Sequence, residues 1–476
     1  MPLDTIISTV KQEKQRKKSL YYSILDGMSV SVMVGFGDRL ISAFAVALKA
    51  SSAEIGLLVT LPPFLGSLSQ LYGAKLVDIY KNRLKVVMPF ALLHALFWLP
   101  IAVIPFLFPN NAVIALIVLY SLAMIATSLQ IPAWTSMMGD IVWLKQRGKY
   151  FGKRNSLAAA VLLPAVAAAG YFLTLYPPEL VFIGFAVSFF IAFLFRFVSY
   201  YFIRNMKEPL QVFAKQPQPS FFQFIKKIRS NNYGSFVAFV GAVRFANFFA
   251  GPFFAPYMLL ELGFSYLQFT LIFAAAMAAQ VIFMTIWGKR ADQFGNVKVL
   301  AVTSILVSTV PLWWLFTRDF YVLLLVNAFA GMAWAGFNLS SANFLYDAVE
   351  TPSRARYTAY YNIVVSSMAL LGGVVGGLYL TYIASPWIFS SVYHVVFFAS
   401  GIGRFVFASI FLPSVREVRK VKSITRRKLF FSLFEFSPNE FIEDQSFQLV
   451  LLKKKFYRLV DKNPAFKKKV KRMKDL

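Results

Sequence analysis

A short polar stretch occurs twice in this chain, and each copy lies between two long apolar runs. The first copy, residues 73–85, reads Gly-Ala-Lys-Leu-Val-Asp-Ile-Tyr-Lys-Asn-Arg-Leu-Lys. The second copy, residues 288–298, reads Gly-Lys-Arg-Ala-Asp-Gln-Phe-Gly-Asn-Val-Lys. Asp78 and Asp292 occupy the same place in the two copies, 214 residues apart, and basic residues follow both. A repeat of this kind predicts a chain built from two copies of one membrane-embedded unit.

The composition is that of a protein with many membrane-spanning helices. Hydrophobic residues make up 58% of the 476 residues and charged residues only 15%, whereas soluble domains average about 25% charged residues. Apolar runs of about 20 residues can cross a bilayer as helices. We therefore expect an all-α polytopic membrane protein with twelve spans, at residues 20–48, 53–75, 84–108, 111–138, 151–175, 178–203, 234–260, 265–288, 297–317, 321–346, 355–383 and 387–412.

Two further matches indicate that the repeated unit contains six helices. The triplet Arg196-Phe-Val recurs at Arg404, and four residues of one loop align without a gap on four of another, namely Asp140, Arg147, Tyr150 and Asn155 on Asp347, Arg354, Tyr357 and Asn362. Two related halves joined by a polar linker are a transporter architecture. The expected organisation is a basic leader at 1–19, an N-terminal six-helix bundle at 20–203, a linker at 204–232, a C-terminal six-helix bundle at 233–412 and a basic tail at 413–476.

The positions of the basic residues predict the orientation of the spans. The chain carries 49 Lys and Arg, with a formal net charge of +28. Only Lys49 and Arg318 fall in loops on the side away from the termini, and four arginines lie deep within spans. The positive-inside rule therefore places both termini in the cytoplasm, and we expect a plasma-membrane protein. Because the positive charge follows from this topology, we expect no nucleic-acid partner.

The repeated stretch resembles the signature Gly-x-Leu-Ala-Asp-Arg-x-Gly-Arg-Lys of the major facilitator superfamily. The first copy matches this signature at Leu76, Val77 and Asp78. The second copy matches it at Gly288, Ala291, Asp292 and Gly295. The resemblance covers residues 20–412, and it implies two pseudo-symmetric six-helix bundles, a central cavity and transport by alternating access.

The same resemblance implies a gate on the cytoplasmic side. Asp78 would face the start of span 11 near Tyr357 and Thr358, and Asp292 would face the start of span 5 near Tyr150 and Phe151. A carboxylate in such a place is stabilised by the partial positive charge of a helix N-terminus. The gate would consist of two charge clusters that separate when this side opens, formed by Asp78, Arg83, Asp140 and Arg147 in one half and by Asp292, Lys298, Asp347 and Arg354 in the other.

Two acidic residues, Asp26 and Asp38, lie within a predicted span, and both are in span 1. An ionisable group inside a bilayer costs about 3 kcal/mol or more unless it is paired or hydrated, so both are candidates for carrying a coupled proton. Asp38 is the deeper, and a continuous helix would place it on one face with Ser31 and Ser42. Asp26 lies nearer the cytoplasmic end, where snorkelling of the side chain is the competing interpretation.

The four arginines within spans divide into two pairs. Arg196 and Arg404 lie about two turns from the cytoplasmic ends of spans 6 and 12, which the family resemblance makes peripheral, so we expect their side chains to snorkel to the surface. Arg39 and Arg244 lie deeper, in spans 1 and 7, which line the cavity in this family. They are therefore candidates for contact with the substrate.

Polar and indole side chains at helical spacing extend this candidate cavity. Amides and indoles suit a polar solute that forms hydrogen bonds, and hydrogen bonds between the helices are the alternative interpretation. Together with the two deep arginines, the candidates for the substrate cavity are Arg39, Thr127, Gln130, Trp134, Arg244, Asn247, Asn327, Trp334 and Asn338.

These patterns predict a secondary carrier that moves a small solute with protons as the coupling ion. The alternatives are an efflux antiporter for hydrophobic compounds and a sensor or scaffold that does not transport and signals through the tail. The chain has no Cys and only two His, and it shows no nucleophile–base set. We therefore expect no enzymatic activity, no metal and no cofactor.

The tail combines clusters of Lys and Arg with interleaved Phe residues. This composition is typical of a segment that lies on the anionic inner leaflet. The expected partners are therefore a small-molecule substrate, protons and anionic lipids, and we expect a monomer.

Overall fold

The computed structural model describes residues 3–143, 146–208, 231–349, 354–383, 389–419, 421 and 429. Side chains are described from residue 13 onward, except at 74, 354 and 355. The central part of the predicted linker, most of the predicted tail and the side chain of Arg354 therefore lie outside the described residues. Met1–Ser423 forms one compact unit, which contains all the helices below.

Every regular element among the described residues is helical, which confirms the predicted fold class. In the part of the chain that the structure describes, twelve helices are long and apolar enough to cross a membrane, so the protein is a multi-pass membrane protein. They are α1 (Glu13–Ala47), α2 (Ser52–Tyr80), α3 (Arg83–Leu107), α4 (Ala112–Ile141), α5 (Arg147–Thr174), α6 (Pro178–Arg204), α7 (Asn232–Glu261), α8 (Tyr266–Phe294), α9 (Asn296–Trp313), α10 (Phe320–Ala348), α11 (Arg356–Tyr382) and α12 (Val392–Ser414). We call the end of the bundle at which α1 begins and α12 ends the terminal face, and the other end the opposite face.

The repeat of 214 residues is visible in how the helices begin and end. Ser51 precedes α2 and Ser265 precedes α8, and each serine hydroxyl forms a capping box with the third residue of its helix. At the other ends of the same helices, Lys81 has φ +50° and Gly295 has φ +95°. Both helices thus end at a residue with positive φ, which glycine adopts most easily, but the turns differ, because ψ is 23° at Lys81 and 156° at Gly295.

Helix α1 is interrupted, which the sequence patterns did not indicate. Its first segment ends at Phe36, its second begins at Ile41, and residues 37–40 form a turn. A Cβ atom on Gly37 would lie 2.6 Å from the indole ring of Trp98 in α3, so only glycine allows this ring to pack against the turn. The face predicted for Ser31, Asp38 and Ser42 therefore does not extend across the break.

The two six-helix halves are packed closely towards the opposite face. A Cβ atom on Gly377 of α11 would lie 2.8 Å from the carbonyl oxygen of Ser52 in α2. On the other side of the bundle, a Cβ atom on Gly170 of α5 would lie 2.7 Å from the carbonyl oxygen of Tyr266 in α8. Towards the terminal face of α5, by contrast, nothing lies within 4 Å of a Cβ atom built on Gly152.

Aromatic side chains from both halves fill the bundle near the opposite face. Phe44 of α1 contacts Phe185 of α6, with ring centroids 5.0 Å apart. The ring of Phe185 in turn contacts Tyr266 of α8, in the other half, at 5.5 Å. These residues belong to one apolar cluster that also contains the buried rings of Phe253 and Tyr257 in α7. The opposite face is therefore closed by a packed aromatic core.

Candidate functional site

A buried polar network connects four helices of the N-terminal half. Asp26 of α1 is 3% exposed and accepts a hydrogen bond from the Ser199 hydroxyl of α6 at 2.7 Å. The Arg154 guanidinium of α5 forms an ion pair with Asp26 at 3.3 Å and lies 4.6 Å from the ring of Trp134 in α4. The Asp26 carboxylate is thus both paired and hydrogen-bonded, which is how a buried charge is tolerated.

Arg196 belongs to the same network, and the prediction that it snorkels to the surface is wrong. The Arg196 side chain is 4% exposed. Its Nη1 donates to Ser199 at 2.7 Å, and its Nε donates to Nδ1 of His94 in α3 at 3.0 Å. The prediction failed because hydrogen-bond acceptors on its own helix and on α3 satisfy this guanidinium inside the bundle.

Asp38 and Arg39 lie in the turn that interrupts α1. The Asp38 carboxylate is half-buried and accepts a hydrogen bond from the Tyr120 hydroxyl of α4 at 3.3 Å. Arg39 is exposed. The two intramembrane carboxylates therefore differ in their surroundings, because Asp26 is held by a cation and Asp38 by a neutral hydroxyl.

In the C-terminal half, the structure brings three predicted cavity residues together. Arg244 of α7 donates through Nη2 to the amide oxygen of Asn338 in α10 at 2.6 Å. Its guanidinium lies 5.0 Å from the ring of Trp334 in the same helix. All three side chains are half-buried, so they combine a cation, an amide and an indole on one accessible surface.

Arg404 of α12 lies behind this group, and its predicted snorkelling is also wrong. Its side chain is 2% exposed, and its guanidinium lies 5.9 Å from the ring of Trp334. Nη1 donates to the carbonyl oxygen of Val307 in α9 at 2.7 Å, and the buried Nε has no hydrogen-bond partner among the described residues.

The other predicted cavity residues are more scattered. The Gln130 amide donates to the Thr127 hydroxyl within α4 at 3.2 Å. The Asn327 amide donates to the Leu323 carbonyl oxygen of its own helix at 2.9 Å, and Asn247 is half-buried in α7. The structure does not join these residues to the Arg244 group by any hydrogen bond among the described residues.

At the terminal face, the structure joins two of the predicted gate residues of the N-terminal half. Arg83 at the start of α3 has a fully buried side chain that forms ion pairs with Asp140 of α4 and, at 2.6 Å, with Glu208. The backbone N–H of Arg83 also donates to Glu208, at 2.9 Å. Arg147 instead bonds to the carbonyl oxygen of Gly139. Asp78 is exposed and has no hydrogen bond or ion pair with any described residue.

A single arginine beyond α12 links two predicted gate residues of the C-terminal half. The Arg419 guanidinium forms an ion pair with Asp347 at 2.7 Å and with Asp292 at 3.1 Å. The hydrogen bond to Asp347 is the main reason why the pKa of Arg419 is raised above its usual value. Lys298 is half-buried. The implied roles of all these residues in a gate stay predictions.

Sequence reasoning missed Glu208, Glu417 and Arg419, although the repeat contained a signal for the two glutamates. Glu417 accepts a hydrogen bond from the backbone N–H of Val297 at 2.9 Å, as Glu208 does from that of Arg83. Arg83 and Val297 are 214 residues apart, which is the spacing of the repeated stretch. Each half thus places a carboxylate from the segment after its sixth helix at the N-terminus of its third helix, where negative charge is stabilised.

The described residues contain no group of three His, Asp or Glu side chains that could hold a metal ion. The polar groups of the interior instead include arginines, amides, hydroxyls, two histidines and two carboxylates. Such groups can bind and release a solute or a proton.

The fold therefore defines a membrane protein of twelve helices in two related halves. A sequence profile of the Major Facilitator Superfamily matches residues 27–245 and, a second time, residues 237–466. The chain belongs to the Major Facilitator Superfamily, as the repeated stretch predicted, and it is a membrane transporter. A comparison with curated protein sequences gives no match.

Solved structures share this fold at low sequence identity. A mutant of the nucleoside transporter NupG is 16% identical with a TM-score of 0.62, and the alignment covers 84% of this chain and 100% of that one. The D-xylose-proton symporter is 15% identical with a TM-score of 0.63, covering 86% and 99% of the two chains. A bacterial homologue of the human lysosomal transporter Spinster, inward-facing and occupied, is 13% identical with a TM-score of 0.60, covering 87% and 99%.

Proposed function

We propose that this protein is a secondary carrier that moves a small polar solute across the plasma membrane by alternating access, driven by protons. The observation that carries this proposal is the uneven packing of the two halves, because towards the terminal face α2 and α11 stay hydrogen-bonded to each other while α5 has open space at Gly152. Glycines and aromatic rings join the halves tightly near the opposite face, while Gly152 near the terminal face has open space around it. A carrier that exposes its interior to one side at a time has this arrangement.

The excess of basic residues supports a cytoplasmic terminal face. In that orientation the structure corresponds to a carrier open to the cytoplasm and closed to the outside. The similar fold of an inward-facing Spinster homologue is in line with this state.

Asp38 is the residue that we infer to carry the coupled proton. Asp26 is 3% exposed and is held by an ion pair with Arg154 and a hydrogen bond from Ser199. Asp38 has the Tyr120 hydroxyl as its hydrogen-bond partner and lies where α1 is interrupted. An unpaired carboxylate at membrane depth can exchange a proton at a smaller cost than one locked in an ion pair. The D-xylose-proton symporter, which has a similar fold, supports protons as the coupling ion.

The test compares Asp38→Asn with Asp26→Asn in proteoliposomes. Asp38→Asn mimics the protonated carboxyl, so it is expected to abolish accumulation driven by a pH gradient while retaining solute exchange without a gradient. Asp26→Asn leaves Arg154 without its partner, so it is expected to lower stability and to reduce both kinds of transport together. Accumulation at the wild-type level in Asp38→Asn would contradict the assignment, and loss of accumulation alone in Asp26→Asn would move it to that residue.

A further inference from the structure

The interior of the C-terminal half carries positive charge without an acidic counterpart. The predicted spans 7–12 contain Arg244 and Arg404 in their interiors and no Asp or Glu. Neither guanidinium forms an ion pair with any residue that the structure describes. A cation removed from water is costly unless a negative charge compensates it, so this half lacks a partner that its chemistry requires.

The two halves make this difference directly comparable. In the N-terminal half, Arg154 lies over the ring of Trp134 at 4.6 Å and is neutralised by Asp26. In the C-terminal half, Arg244 lies over the ring of Trp334 at 5.0 Å, but its hydrogen-bond partner is the neutral Asn338. The same pairing of guanidinium and indole therefore has its positive charge compensated by a carboxylate in the N-terminal half and not in the C-terminal half.

A second, deeper cation strengthens the local field. The guanidinium of Arg404 lies 5.9 Å from the ring of Trp334, the same ring that Arg244 contacts. The Nε atom of Arg404 has no hydrogen-bond partner among the described residues. Arg404 is 2% exposed, so it cannot reach a solute easily and acts through its charge. Arg244, Trp334 and Asn338 are only half-buried, so they are more accessible to a solute than Arg404.

We propose that Arg244, Asn338 and Trp334 form the site for the negatively charged group of an anionic solute, a carboxylate or a phosphate, with Arg404 contributing positive charge from behind. Arg244 has five N–H donors and uses one of them on Asn338, which leaves donors for a bidentate contact with an oxyanion. The indole of Trp334 offers an apolar surface for the remainder of the solute. This inference rests on the proposed carrier function and specifies its substrate class.

The site can be tested with purified protein by following the midpoint of thermal unfolding. The probes are inorganic phosphate, succinate and the neutral solutes xylose and glycerol, all at one ionic strength. Wild type is expected to show a saturable rise of the midpoint with phosphate or succinate, and which of the two acts separates the phosphate from the carboxylate class. In Arg244→Gln the concentration that gives half of the rise is expected to increase by about tenfold or more, because a hydrogen bond to a charged group is lost.

Two control variants define the specificity of this effect. Arg318→Gln removes an exposed arginine near the opposite face and is expected to respond like wild type. Arg244→Lys keeps the charge but not the planar fork, so it is expected to keep part of the response. A rise with neither anion in wild type, or an equal rise in Arg244→Gln, would overturn the site.

A measurement on wild type alone covers the case in which Arg244→Gln does not fold. Phenylglyoxal modifies guanidinium groups, and mass spectrometry locates the modified residues. Phosphate or succinate is expected to protect Arg244 while leaving Arg318 reactive, and equal modification of Arg244 with and without the anions would contradict the proposal.

Counterflow of the same solutes in proteoliposomes separates this inference from the proposed function. Binding of anions through Arg244 without any solute exchange would support the anion site and contradict the carrier function. If xylose or glycerol is exchanged, no anion inhibits that exchange and no anion binds, the carrier function would be supported and the anion site contradicted.

Discussion

At the scale of single residues, buried arginine side chains connect the helices of this protein. Arg83 has a fully buried side chain, and Arg196 and Arg404 are 4% and 2% exposed. Each is held by acceptors from other helices, such as Asp140 of α4 for Arg83 and His94 of α3 for Arg196. Such side chains act as cross-links between helices, because leaving their partners unsatisfied costs more than the bond itself contributes.

The first prediction concerns Arg83. Arg83→Ala removes a fully buried cation from Glu208, whose side chain is 12% exposed, so we expect a loss of about 3 kcal/mol in the free energy of unfolding. Denaturant titration in detergent measures it. The matched control is Arg318→Ala, since Arg318 is 58% exposed and lies 3.7 Å from Glu261; it should cost less than about 1 kcal/mol. Equal losses in the two variants would show that the Arg83 cluster contributes no more than a surface pair.

At the scale of helices, glycines decide where the two halves can approach. In α11, Gly372 and Gly376 lie against the backbone of Phe245 and Phe249 in α7 of the same half. Gly373 instead lies against Gly56 and Thr60 of α2, in the other half. In this helix, Gly372 and Gly376 therefore allow close packing within the C-terminal half, and Gly373 allows close packing against the N-terminal half.

The second prediction concerns this interface. A Cβ atom on Gly373 would lie 2.6 Å from Cγ2 of Thr60, so Gly373→Val forces α2 and α11 apart and costs about 1–3 kcal/mol in the state described here. We expect this to loosen the opposite face and to increase the labelling rate of a cysteine at Ile55 of α2, which is 1% exposed, by about tenfold. The chain contains no cysteine of its own, so maleimide labelling reports this one position.

Gly148→Val is the matched control, because nothing lies within 4 Å of a Cβ atom on Gly148. Its labelling rate should equal that of the parent. A rate unchanged in Gly373→Val as well would mean that close packing at Gly373 does not hold the opposite face closed.

At the scale of the whole molecule, a contact between the halves on one side of the bundle has no counterpart at the repeat-related positions on the other side. The amide of Asn362 in α11 donates to Gln70 of α2 at 3.2 Å across the halves. The positions related to them by the repeat spacings of 207 and 214 residues are Asn155 in α5 and Met284 in α8. Asn155 is exposed and Met284 is 42% exposed.

The third prediction follows from this asymmetry. Alternating access requires the terminal face to close when the opposite face opens, so Asn155 and Met284 are expected to approach each other in the other state. A cysteine pair at these positions should form a disulfide only in that state. A pair at Ala53 and Thr381, whose backbone N–H and hydroxyl are 3.2 Å apart, should form one only in the state described here. Cross-linking of both pairs in the same molecule would contradict alternating access.

The sequence by itself determined the twelve spans, the doubling and the family. A membrane-spanning segment must satisfy its own backbone hydrogen bonds within one helix. Its position can therefore be predicted from the local run of apolar residues. The predicted boundaries agree with the helices to within a few residues at most ends, and the repeated stretch identified the superfamily. The same local patterns singled out Arg244, Trp334 and Asn338, which the fold brings together.

Only the tertiary structure decided which buried groups are partners. Arg196 was expected to reach the surface, but it bonds to His94, which is 102 residues away in the chain. Arg83 bonds to Glu208, 125 residues away. The turn that interrupts α1 likewise packs against the ring of Trp98 from another helix. Because these contacts join distant segments of the chain, their energies depend on how the segments pack, and the periodicity of a single span does not encode that packing.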